Sequence, residues 1–106
     1  MDFEKIFSTI KDGVAELAKN TVGDFADQAK SDADDFLTES RENLKRWTQA
    51  ASEGKLTKPE YEFLLQMQVS VGKMHALKAA GVGIQRLNRF REGVISLVIK
   101  SVFSAI

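Results

Sequence analysis

The chain contains no cysteine, a single proline and a single histidine. The missing cysteines exclude disulfides, thiolate nucleophiles and every cysteine-based metal site. With His75 alone a three-histidine zinc centre cannot be assembled. The residue three before it is Gly72, not the glutamate of a di-metal bundle motif. No serine sits in a Gly-x-Ser-x-Gly turn. Gly81-Val82-Gly83 lacks the third glycine and the preceding strand of a dinucleotide-binding loop. Asp32, Asp34 and Asp35 cluster without the glycine and spaced ligands of a calcium loop, so they read as a solvated face. No catalytic, cofactor-binding or metal site is expected, and the chain reads as non-enzymatic.

Long apolar runs are also missing. The most apolar stretch, residues 93–106, is interrupted by Lys100 and is shorter than the roughly 20 residues that cross a bilayer. Met1–Lys5 lacks the basic-then-apolar layout of a secretion signal, and a cytoplasmic protein is expected. At 106 residues, 43% hydrophobic and 28% charged, the sequence is that of one ordered globular domain over 1–106.

The net charge of zero hides an asymmetry. Residues 1–53 carry 12 acids and 7 bases, a net of −5; residues 54–106 carry 3 acids and 8 bases, a net of +5. Two antiparallel halves of one chain would attract each other on that pattern.

Proline is absent from Phe3 to Ala51, where apolar or small residues recur at steps of three and four: Phe3, Phe7, Ile10, Val14, Ala18, Val22, Ala26, Ala29, Ala33, Leu37, Ser40, Leu44, Trp47, Ala51. This is a helical period of coiled-coil length. Soft spots lie at Asn20–Asp24 and at Ser31–Asp34. The clear break is Ser52–Leu56, with Gly54 placed as a C-terminal cap. Thr57-Lys58-Pro59-Glu60 then opens a second helix as a capping box. Gly81 and Gly83 allow a bend near 81–83.

The expected fold is all-α: a long antiparallel helical hairpin, with helices over about 2–51 and 58–106. Folding at 54–55 sets opposite each other residues whose numbers add to about 109, such as Leu44 with Leu65 and Val22 with Leu87. Ala26, Ala29 and Ala33 would meet Gly83, Ala80 and Ala76, small against small. Asp24 and Asp27 would come level with Arg86, and Asp32 and Asp34 with Lys78.

A two-helix hairpin leaves apolar surface uncovered. Phe63, Met67, Met74, Leu77 and Ile84 form a second stripe on the second helix, on nearly the opposite side from Leu65. Either the chain breaks into three or four helices that fold back as a monomeric bundle, or two hairpins dock as a four-helix bundle. The scarcity of helix breakers favours the homodimer, with the stripe as its interface. Helix–helix self-association is therefore the leading function. The alternative is a peripheral membrane protein, because Met1–Ile10 and Val94–Ile106 are both amphipathic and lie at one end of the hairpin. Arg86, Arg89 and Arg91 form a candidate patch for an anion or a protein partner. The balanced overall charge argues against nucleic acid.

Overall fold

The computed structural model describes residues 2–106; Met1, at the head of the amphipathic N-terminal segment, lies outside them. Every regular element among the described residues is helical: α1 (Phe3–Val22), α2 (Ala26–Ser52), α3 (Lys58–Gln68), α4 (His75–Ala79) and α5 (Ile84–Ala105). Short 3-10 turns occupy Gly23–Phe25 and Val71–Lys73.

Helix fills residues 3–52 without coil, but the run is not straight. At the Gly23–Phe25 turn Val22 (φ −135°, ψ 51°) and Phe25 (φ −125°, ψ 29°) leave helical geometry, while Gly23 and Ala26 keep it. The chain reverses there. The Arg41 guanidinium pairs with Glu4 and lies 5.8 Å from the ring centres of both Phe3 and Phe7. The longest dimension of the molecule is 42 Å, whereas a straight 50-residue helix would measure about 75 Å. The soft spot at Asn20–Asp24 is thus a reversal. It ends on β-branched Thr21 and Val22 followed by Gly23, all weaker helix formers than alanine.

The second helix, expected as one piece over 58–106, is three. Helix α3 stops where Val69 and Ser70 turn extended, and α4 begins only after Met74. Gly81 (φ +87°) ends α4: its N–H donates to the Lys78 carbonyl, while the Val82 N–H donates to that of Leu77. That is a Schellman cap, which requires the left-handed conformation glycine adopts without penalty. The buried pair Leu77 and Val82 supplies its hydrophobic contact.

Local motifs form as their residues dictate. Gly54 (φ +76°) caps α2, with Gly54 and Lys55 donating to the carbonyls of Ala51 and Ala50. Thr57 and Glu60 make the capping box, each side chain bonding the other's backbone N–H, with Pro59 in the first turn of α3. Two hydrogen bonds from Thr57, first from its N–H and then from its hydroxyl, hold the Glu60 carboxyl below its ordinary pKa.

Packing runs in a ring. Helix α1 packs on α2, α2 on α3, α3 on α5 and α5 on α1, with α4 lying on α2. The result is an up-down-up-down four-helix bundle made by one chain. Inside it lie Phe3, Ile6, Phe7, Ile10, Val14 and Val22 of α1, Leu37 and Leu44 of α2, Tyr61 and Leu65 of α3, and Phe90, Val94, Ile95, Val98, Ile99 and Val102 of α5. The apolar faces at the two termini therefore cover each other. No described helix is long and apolar enough to cross a membrane.

The antiparallel pairing rule survives the folding. Thr48 bonds Tyr61, Ser40 bonds Gln68 and Asp32 bonds Leu77. Leu97 lies over Gly13 and Leu17 over Gly93, each so close that an added Cβ would stand 2.7 Å from a leucine methyl. In each of these pairs the residue numbers add to within one of 109. The expected ion pairs across that seam do not form among the described residues. Arg86 instead lies 5.6 Å from the ring centre of Phe25, and Asp32 is bonded to backbone.

Candidate interaction surface

The irregular stretch between α3 and α5 is fastened by two charged side chains from other helices. Asp32 of α2, 6% exposed, accepts from the N–H groups of Ala76 (2.9 Å) and Leu77 (2.8 Å). These are first-turn donors of α4, which has no side-chain cap of its own, and a carboxylate there also meets the positive end of the helix. Arg91 of α5 donates from Nε to the Val69 carbonyl (2.6 Å) and from its terminal nitrogen to that of Gln66 (2.9 Å). A cation thus closes the negative end of α3. Asp32 is therefore no part of a solvated acidic face; Asp35 stays exposed and Asp34 half-buried.

At the other end of the bundle Tyr61 is wholly buried. Its hydroxyl shares a 2.9 Å hydrogen bond with Thr48, and its ring meets Trp47 and Phe103 edge to face at 6.0 and 5.7 Å. Burial pushes the phenol up to about 12, opposed by the Thr48 bond. No buried side-chain polar atom among the described residues lacks a partner.

A cavity of about 20 Å³ lies between Phe36, Val69, Met74, Phe90 and Val94, space for roughly one water. The larger hollows are open surface grooves, among them one of about 480 Å³ along Lys58, Ile95, Ile99 and Phe103 and one of about 490 Å³ along Ile6, Leu97 and Lys100. His75 is exposed at the first position of α4, and no three metal-binding side chains converge among the described residues.

The expected surface stripe is divided by the fold. Met74 (5% exposed) and Leu77 (0%) belong to the core, which corrects their assignment to a subunit contact. The stripe assumed one α-helical phase from residue 63 to 84, and residues 69–74, which hold only a 3-10 turn, and 80–83 break that phase. Phe63 (61% exposed), Met67 (66%) and Ile84 (60%) remain outside. Phe63 and Met67 are one turn apart on α3 and so are neighbours, on the side away from buried Tyr61 and Leu65. Ile84 opens α5.

The arginine patch is divided as well. Arg86 covers the ring of Phe25, Arg91 is used by the backbone of α3, and Arg89 is exposed. The roles of Asp32 and Arg91 escape a reading of local motifs because their partners lie 44 and 22 residues away. The Gly13 and Gly93 contacts could have been found by extending the pairing rule to glycines. Comparison with family models, with curated proteins and with solved structures finds no match.

Proposed function

We propose that the chain is a non-enzymatic interaction module that self-associates through helix–helix contacts, with the outer face of α3 as the contact. The observation that carries this reading is the exposure of Phe63 and Met67, large neighbouring side chains on a bundle whose other exposed large apolar residues, among the described ones, are the separate Ile84 and Ile106. Covering both on each copy would contribute about 1–2 kcal/mol per side chain. A twofold axis does so with one contact, α3 against α3. The membrane alternative needs the termini to expose Phe3, Ile6, Phe7 and Ile10, which the bundle has already buried.

Backbone amide NMR spectra recorded over a dilution series test the reading. Shift changes centred on residues 60–68 are expected, with no pelleting of the protein on anionic lipid vesicles. Concentration-independent spectra together with vesicle binding would replace it with the membrane reading.

A further inference from the structure

The contacts of the bundle divide into two kinds. Helices α1 and α5 pair with each other, and α2 pairs with α3 and α4. These pairs obey one antiparallel rule from end to end, as the Gly13–Leu97, Thr48–Tyr61 and Asp32–Leu77 contacts show. The other contacts join these two halves: α1 to α2 through Arg41 and Glu4, and α3 to α5 through Arg91 with Val69 and through Tyr61 with Phe103. The halves are covalently linked at only two places, Val22–Ala26 and Ala80–Ile84.

We infer that the bundle opens at these two joints and exchanges halves with a second copy of the chain. The partner is argued from symmetry. Across the first joint, residue 4 meets 41; across the second, residue 61 meets 103. The midpoints of those pairs fall close to Gly23 and Gly81, at the joints themselves. If α1 runs straight into α2 and α4 into α5, α1 loses its own α2 and meets the α2 of a second opened copy in the same register. The α3–α5 contacts are restored in the same way. Every contact between halves is then remade between chains, which is the condition for low-cost domain swapping.

The joints suit such a motion. At the first, Gly23 itself is helical (φ −45°, ψ −43°), neither Val22 nor Phe25 makes a side-chain cap hydrogen bond, and no atom lies within 4 Å of a Cβ placed on Gly23. At the second, Gly81 alone takes a left-handed conformation, and Gly83 (φ −69°, ψ 156°) leaves α5 without a side-chain cap. The α3–α4 connection stays with α2 throughout, held by the Ser40–Gln68 and Asp32–Leu77 bonds.

This inference rests on the reading of the chain as self-associating, and its test separates the two modes. The background is Phe63→Glu, which removes contact through the face of α3. Glu4→Cys and Arg41→Cys are added to this cysteine-free chain, and a short thiol-bridging reagent is applied to size-separated monomer and dimer fractions. The bridge should close within one chain in the monomer and between chains in the dimer. Gly81→Ala, strained only in the closed form, should raise the dimer association constant by about tenfold per chain. Gly83→Pro, whose backbone angle already suits proline, should hold the chain monomeric. A dimer fraction bridged only within chains would overturn the exchange. So would Gly81→Ala remaining monomeric at millimolar concentration while folded by circular dichroism.

Discussion

Replacing Asp32 is the sharpest single perturbation of this fold. Its carboxylate accepts two backbone N–H bonds, at 2.9 and 2.8 Å, while 6% exposed. A hydrogen bond to a charged group contributes about 1.5–3 kcal/mol, and an orphaned buried donor costs about 1–3 kcal/mol. Two such bonds would exceed the observed range for most substitutions, but desolvation of the carboxylate in the wild type offsets part of the sum. Asp32→Ala should therefore cost about 2–4 kcal/mol. Asp32→Asn keeps one acceptor oxygen and turns an amide nitrogen towards the second N–H, so it should lose about half as much. Urea unfolding followed by fluorescence of Trp47, the single tryptophan, measures the global change. Amide exchange at Ala76 and Leu77 reads α4 locally and should lose protection first. An Asp32→Ala protein within about 0.5 kcal/mol of wild type, the range of ordinary surface changes, would refute the capping role.

Tyr61 is the only tyrosine, so its absorbance titration is unambiguous and should centre near 12 rather than the ordinary 10.0. The fold binds this proton more tightly than the unfolded chain does, so its contribution is complete below pH 10. It should be lost between pH 10 and about 12, by about 2–3 kcal/mol in total; an unfolding free energy flat across that window would contradict the burial. Ala29→Leu, at a wholly buried position on α2, should cost about 1–3 kcal/mol by overpacking, and a thermal midpoint at or above wild type would show slack there. Thr57→Ala should cost about 1 kcal/mol in urea unfolding by removing the α3 cap. Its companion carboxyl, Glu60, sits below its ordinary pKa, so the capping contribution should weaken as pH falls through the carboxylate range and persist at neutral pH.

What could be read from the chain was what is decided locally or by one parameter. Gly54 and the Thr57–Glu60 box depend on residues within a few positions of each other, and both formed as their spacing implies. The pairing rule depends only on where the chain turns, and contacts from Gly13–Leu97 to Thr48–Tyr61 obey it. Whether the paired helices run straight or double back is a different kind of question. A reversal at Gly23–Phe25 forfeits about one turn of helix, and the return is packing of Phe3 and Phe7 beside α2, which no local pattern announces. The same holds for the surface. Met74 and Leu77 looked coplanar with Phe63 and Met67 only while the helix between them was assumed unbroken. Asp32 looked solvated because its two partners are amides that become available only once α4 has begun at His75.

Self-association is tested most directly by sedimentation equilibrium from low to high micromolar concentration, on wild type and on the Phe63→Glu, Met67→Glu double variant. The wild-type mass should rise from the 11.8 kDa of one chain towards twice that value, and the double variant should rise less, through exchange of halves alone. A wild type that remains at 11.8 kDa up to the highest concentration would contradict the account.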